Sequence, residues 1–164
     1  MTKRLILIRH AKSGWDNVYA DDHARTLTDR GQKAAEAIGG WLKAQGYVPD
    51  LILTSDATRA LQTTNMVKRG LAETIATKEI GMLYHAAPET IQEIANAVDG
   101  QSIAIVGHNP GIAMAARRFV TYAPDHHRFD DYPTCATTVI EFADEDWLKP
   151  GKGNAVDFIV PRDL

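Results

Sequence analysis

Four consecutive aliphatic residues, Leu5 to Ile8, are followed at once by Arg9 and His10. A short run of branched aliphatic side chains without polar alternation predicts a strand that is buried on both faces. A cation and an imidazole directly after such a strand lie at the carboxyl edge of the sheet, where open α/β folds bind their ligands. This junction therefore predicts a site for an anion with a nucleophile beside it.

Strand and helix patterns alternate along the rest of the chain. Apolar residues at three- and four-residue steps predict helices over 29–45, 57–69, 88–99 and 112–121. Short apolar runs predict further strands at 51–53, 74–77, 102–106, 137–142 and 155–160. This alternation predicts an α/β fold of three layers, with a mostly parallel central sheet and helices on both faces. We expect a single domain over residues 1–164.

The composition limits the class of partner. Hydrophobic residues make up 45% and charged residues 24% of the 164 residues, a balance typical of globular proteins with a buried core. The net charge of −3 argues against nucleic acid as a partner. No apolar run approaches the roughly 18 residues of a membrane span, and the single cysteine, Cys135, excludes an intrachain disulfide. We expect a cytoplasmic protein without a membrane partner.

Three predicted strand-to-helix junctions carry the prominent polar residues. They are Arg9–His10, Ser55 to Arg59, and Gly107 to Asn109, and in a mostly parallel sheet all three fall at one edge. Two guanidiniums suit a tetrahedral dianion, because each presents a planar fork of donors and stays charged. Helix N-termini add free backbone donors. Of two histidines in that field, one can attack phosphorus while the other stabilises the transition state.

His10 is the better candidate for the nucleophile, because a buried strand directly before it can hold its ring in place. For attack the imidazole must be neutral, with one nitrogen free and the other oriented by a hydrogen bond. His108 is flanked by Gly107 and Asn109, so it can approach the anion closely and donate to it. We expect its charged form to be favoured once a phosphate dianion is bound.

These motifs resemble those of the histidine phosphatase superfamily, which has the phosphoglycerate mutase-like fold. The resemblance rests on Arg9 to Ala11, Ser55 to Thr63, Gly107 to Gly111, and Arg25 to Gly31, which matches the family's R-x-L-T-x-x-G segment. It implies that His10 becomes phosphorylated and that Arg9, Arg59 and His108 complete the phosphate pocket. It also implies that no metal or other cofactor is required.

The resemblance further implies a rim around this pocket and, in many relatives, a general acid. The rim candidates are Arg25, Asn109 and Asp16, the last where the family usually has asparagine. Mutase and sugar-phosphatase relatives carry a glutamate acid after the third strand, and the matching position here falls near Tyr84–His85. The acid is either absent or supplied by Glu79, His85 or Asp16.

Within the superfamily, the short chain resembles the SixA-like phosphohistidine phosphatases, and its short connections leave no room for a cap domain. Ester cleavage expels an alkoxide and benefits from a positioned acid. Phosphohistidine cleavage expels an imidazole whose conjugate acid has a pKa of roughly 6.5, so solvent can protonate it. A site without a strong acid therefore favours phosphoramidates.

The preferred partner is accordingly a phosphorylated protein, with phosphohistidine as the substrate. A phosphatase for a small phosphorylated metabolite or nucleotide is the second hypothesis. A mutase is disfavoured, because it needs a closed pocket that protects its intermediate from water. A phosphate-recognition module without turnover is the hypothesis from another class; the intact His10 and His108 argue against it.

Overall fold

The computed structural model describes residues 1–15, 19 and 21–164. Strands and helices alternate along them as predicted. The elements are β1 Thr2–Arg9, α1 Asp29–Gln45, β2 Leu51–Thr54, α2 Thr58–Leu71, β3 Ala76–Glu79, α3 Pro88–Asn96, β4 Ser102–Gly107, α4 Gly111–Phe119, β5 Thr137–Ala143 and β6 Asn154–Ile159. Short 3-10 helices occupy Asp22–Ala24, Gly81–Leu83, Asp144–Asp146 and Pro161–Asp163. None of the helices in the described residues is both long and apolar enough to cross a bilayer.

The strands form one sheet in the order β3-β2-β4-β1-β5-β6. The first four are mutually parallel, whereas β5 runs antiparallel to both β1 and β6. The carboxyl ends of β1, β4 and β2 therefore lie side by side, with Arg9 paired to Gly107 and Thr54 to Val106. The predicted α/β class and the common edge of the three junctions are confirmed.

Strand β1 is buried on both faces, as its sequence predicts. Leu5 and Leu7 face the core under α3 and α4, and Ile6 and Ile8 face the core under α1 and α2, because successive side chains of a strand point to opposite faces. All four are fully buried, and each contributes roughly 1.5–3 kcal/mol of hydrophobic stabilisation. This strand is the rigid support from which Arg9 and His10 project.

Strand β3 is shifted relative to its predicted position, from 74–77 to Ala76–Glu79. All four of its residues are exposed at the edge of the sheet, so no apolar pattern marks its bounds. The apolar residue that suggested the strand, Ile75, is buried just before it.

Helices α1 and α2 touch backbone to backbone at two glycines. A Cβ added at Gly39 of α1 would lie 2.1 Å from the carbonyl oxygen of Val67, and one added at Gly70 would lie 2.1 Å from the carbonyl oxygen of Glu36. Neighbouring Gly40 has no heavy atom within 4 Å of such a Cβ. The spacing of the two helices therefore depends on Gly39 and Gly70 but not on Gly40.

Replacing Gly39 by alanine is expected to lower the free energy of unfolding by about 1–3 kcal/mol, because the new methyl group meets a backbone oxygen that moves only with α2. Gly40→Ala is the matched control and should raise the free energy of unfolding by up to about 1 kcal/mol, since alanine favours the helix. Urea unfolding of both variants measures the difference. Equal stability of the two variants would contradict the close contact.

Candidate active site

His10 is held at the end of β1 by its neighbours on both sides. Its backbone N–H donates to the carbonyl of Gly107 at 2.9 Å, and its own carbonyl accepts from the N–H of Cys135 at 3.0 Å. Its Nδ1 lies 2.8 Å from the carbonyl oxygen of Ala11. A carbonyl can only accept, so Nδ1 carries the proton and the lone pair of the neutral ring lies on Nε2. This is the orientation that a nucleophilic imidazole requires.

The electrostatic environment keeps His10 neutral. Burial lowers its pKa to about 4, and the nearby positive charges of Arg9, Arg59 and Arg25 act in the same direction, against the hydrogen bond to Ala11. At neutral pH the ring therefore carries its lone pair almost all the time. Arg59 Nε lies 3.4 Å from His10 Nε2 and donates to it, which places a guanidinium beside the attacking atom.

His108 faces His10 across the site, with 5.1 Å between the ring centroids. Its Nε2 lies 2.8 Å from Ser55 Oγ, which already accepts from the N–H of Ala57 at 3.2 Å. The Ser55 hydroxyl can donate to Nε2, and in that arrangement the proton of the neutral ring lies on Nδ1. Nδ1 of His108 is buried without a hydrogen-bond partner among the described residues. With the ring proton on Nδ1, His108 has a donor that no described residue uses.

His108 is also neutral in this state. Burial lowers its pKa to about 3, and His10, Arg59 and His85 add to the shift. The charged form expected with a bound dianion is therefore not the form of the free site. A neutral ring with its proton on Nδ1 can still donate to a phosphoryl oxygen.

The two predicted phosphate-binding arginines come from different elements. Arg59 in the first turn of α2 is only 3% exposed. Arg9 donates from Nη1 to the carbonyl of Tyr132 at 3.2 Å, and Asn109 Nδ2 donates to the same carbonyl at 2.9 Å. This shared carbonyl ties the ends of β1 and β4 to the loop before β5. Arg9 and Asn109 are therefore fixed in the wall of the site.

Asp22 is a site residue that the motifs did not single out. Arg59 donates from Nη1 to the Asp22 carbonyl at 2.6 Å and from Nη2 to its carboxylate at 3.1 Å. The carboxylate also accepts from the Tyr84 hydroxyl and from Arg25 Nε. The Tyr84 hydrogen bond and the arginine charges hold the pKa of Asp22 far below its usual range. In this structure the guanidinium that is predicted to bind phosphate is thus paired with the Asp22 carboxylate.

The remaining candidates divide by position. Arg25 binds Asp22 and donates to Ser13 Oγ at 2.8 Å, which places it at the rim. His85 Nε2 lies 3.6 Å from Asp22 Oδ2, and its ring centroid lies 6.0 Å from that of His108. Glu79 is exposed on β3 and has no contact with these groups in the described part of the chain. Asp16 lies outside the described residues.

Sequence reasoning missed Asp22 and the Tyr84 hydroxyl for a common reason. The loop after β1 contains the acidic pair Asp21–Asp22, but the path of that loop decides which carboxylate meets Arg59. The sequence pattern marks Tyr84 only as lying near the position where relatives carry a glutamate. Among the described residues, no group of three or more His, Cys, Asp or Glu side chains could hold a metal ion.

Comparison with known proteins agrees with this geometry. The family model of the histidine phosphatase superfamily (branch 1) matches residues 5–81. An uncharacterised protein of Mycobacterium tuberculosis is 35% identical over 164 residues, which cover 94% of this chain and 100% of that protein. A 2,3-bisphosphoglycerate-dependent phosphoglycerate mutase of Actinobacillus pleuropneumoniae is 42% identical over 65 residues, 38% of this chain and 29% of that protein.

Two solved structures extend the likeness to the whole fold. A protein of Agrobacterium tumefaciens assigned as phosphohistidine phosphatase SixA is 29% identical, with a TM-score of 0.76 over 97% of this chain and 99% of that one. A protein of Nakamurella multipartitia with the same assignment is 25% identical, with a TM-score of 0.78 over 98% and 97%. The chain therefore belongs to the histidine phosphatase superfamily, resembles the SixA-like members within it, and is a phosphatase.

Proposed function

We propose that the protein hydrolyses the phosphoramidate bond of phosphohistidine in other proteins, through a covalent intermediate on His10 Nε2. The observation that carries this proposal is the state of His10. Its Nδ1 proton is held by the Ala11 carbonyl, its Nε2 carries the lone pair and accepts only a long hydrogen bond of 3.4 Å from Arg59 Nε, and a second imidazole lies across the site. A neutral, oriented nucleophile in a cationic pocket suits attack on a phosphoryl group.

In the first step, His10 Nε2 forms a bond to phosphorus while the bond from phosphorus to the substrate imidazole breaks. The departing imidazole takes a proton from solvent. The His10 ring gains positive charge as the bond forms, and the hydrogen bond from Nδ1 to the Ala11 carbonyl becomes stronger as a result. Arg9, Arg59 and the Nδ1 proton of His108 hold the phosphoryl oxygens.

In the second step, water attacks the phosphoryl group on His10. The bond between phosphorus and Nε2 breaks, and its electron pair returns to the ring. Inorganic phosphate leaves with the oxygen of water, and the protons of that water stay on the phosphate until it exchanges them with solvent. The same donors hold the phosphoryl oxygens in this step, so one pocket serves both transfers. The neutral His10 is restored for the next turnover.

The proposed preference for a nitrogen-linked substrate rests on which side chains of the site could protonate a leaving group. Asp22 is the carboxylate nearest to Arg59 in the described residues, and its lowered pKa keeps it ionised at neutral pH, so it has no proton to give to an alkoxide. Glu79 is exposed on the edge strand. An imidazole leaving group needs no such donor. The position of His85 beside Asp22 favours a second candidate, a phosphatase of small esters with His85 as its acid.

The test compares three substrates: a phosphohistidine peptide, phosphoramidate and an alkyl phosphate, each with His10→Ala as the control. We expect kcat/KM for the two nitrogen-linked substrates to exceed that for the ester by at least about 100-fold. Comparable ester turnover that is lost in His85→Gln would favour the small-ester phosphatase. Binding of inorganic phosphate with no turnover of any substrate would identify a recognition module instead.

A further inference from the structure

A second concave surface lies beside the site and is lined by cations. The cavity has a volume of about 260 Å³. Residues 133–134 and 160–161 form part of its walls, and its charged lining residues are Lys12, Arg30, Arg128 and Arg162. We refer to this surface as the basic cleft. The four side chains make this cavity locally positive, although the net charge of the whole chain is −3.

Most of this charge is not neutralised within the protein. Arg128 is paired with Asp131 at 3.0 Å. In the described part of the chain, no ion pair involves any of the other three lining cations, Lys12, Arg30 and Arg162, all of which are exposed. The neighbouring carboxylate of Asp163 is engaged by His126 and by the N–H of Val160. The basic cleft therefore presents a net positive surface to solvent.

The basic cleft lies at the same edge of the sheet as the nucleophile. Ile8 pairs with Thr137 and Thr137 with Ile159, so the start of β5 and the end of β6 stand level with the end of β1. Lys12 follows His10 by two residues, which limits the distance between their Cα atoms to about 7 Å. A chain that presents a residue to His10 can continue over the basic cleft.

We propose that the basic cleft binds an acidic segment of the polypeptide that carries the phosphorylated residue. The cations come from four separate stretches of chain and surround a cavity, so they suit several carboxylates spaced along a peptide better than one tetrahedral ion. Long-range attraction of this kind raises the rate of encounter and is screened by salt. The inference rests on the proposed function, since it assigns the class of protein substrate.

The experiment uses two phosphohistidine peptides that differ only in their flanks, which carry aspartate in one and asparagine in the other. At low ionic strength we expect kcat/KM to be about 10-fold higher for the acidic peptide, through a lower KM. The advantage should disappear in 0.5 M salt, at about the ionic strength where the screening length falls to roughly 4 Å. Equal kcat/KM for the two peptides would overturn the inference.

The variant R30E/R162E should lose the preference for the acidic peptide, while its turnover of phosphoramidate stays unchanged. K78E/K152E is the matched control, because it changes the net charge equally at exposed positions, on β3 and in the turn before β6. We expect it to keep the preference. A preference that survives R30E/R162E, or is lost equally in the control, would contradict a role of the basic cleft.

These outcomes separate the inference from the proposed function. Turnover of phosphoramidate and of the neutral peptide without any effect of acidic flanks would refute the basic cleft and leave the proposed function intact. If no phosphohistidine substrate is turned over, the proposed function fails. Binding of the unphosphorylated acidic peptide, measured by fluorescence anisotropy with and without R30E/R162E, then decides the basic cleft by itself.

Discussion

Substitution of His10 by alanine is expected to lower kcat for phosphoramidate hydrolysis by at least about 10³-fold. The remaining donors can still bind a phosphoryl group, but among the described residues no other imidazole accepts from Arg59 at its Nε2. His108 is a poor replacement, because its Nε2 is engaged by Ser55 Oγ at 2.8 Å, a shorter contact than the 3.4 Å between Arg59 Nε and His10 Nε2. The loss should therefore appear in kcat far more than in KM.

Trapping the intermediate gives a readout that a merely structural role of His10 would not move. Brief incubation with labelled phosphoramidate should leave a nitrogen-linked phosphate on the protein that is lost in acid and stable in base. His10→Ala should carry no label, and His10→Gly with added imidazole should recover part of the turnover. In His108→Gln the label should form more slowly, by about 10²-fold. Unchanged labelling of His10→Ala would refute the mechanism.

The free energy of unfolding is expected to fall by several kcal/mol as the pH drops from 7 to 4. Burial lowers the pKa of His10 to about 4 and that of His108 to about 3, whereas both rings titrate near 6.5 in the unfolded chain. Between these values the unfolded state binds more protons, so stability rises with pH in this window. Each histidine is expected to lower the free energy of unfolding at pH 4, relative to pH 7, by on the order of 3 kcal/mol.

Urea unfolding between pH 7 and pH 4 measures this slope, and the double variant His10→Gln/His108→Gln isolates it. The variant keeps the remaining histidines, so the difference between the two pH profiles reports the buried pair alone. Asp22, whose folded pKa is lowered, loses its contribution only below about pH 4 and does not overlap this window. Parallel profiles for parent and variant would show that the two rings are already charged in the folded protein.

The fold was predictable because its strands and helices carry local signals. The unbroken apolar run before Arg9 marks the central strand, and Thr28 and Gly46 delimit α1 as cap residues, with Thr28 Oγ1 accepting from the N–H of Gly31 and Gly46 at a φ of +79°. The predicted bounds of strand β3 are shifted because all its side chains are exposed. Edge strands are stabilised by backbone pairing, which leaves little trace in the side-chain pattern.

The sequence by itself determined the α/β class and the three motifs whose Arg9, His10, Arg59 and His108 meet at one edge, because strand ends in a parallel sheet converge whatever the loops do. Tertiary structure alone decided that Asp22 rests on Arg59, that Tyr84 and His85 flank it, and that a cavity lined by cations opens beside the nucleophile. These features depend on the paths of irregular loops. In such loops, side chains distant in sequence come into contact, and no periodic sequence pattern predicts those contacts.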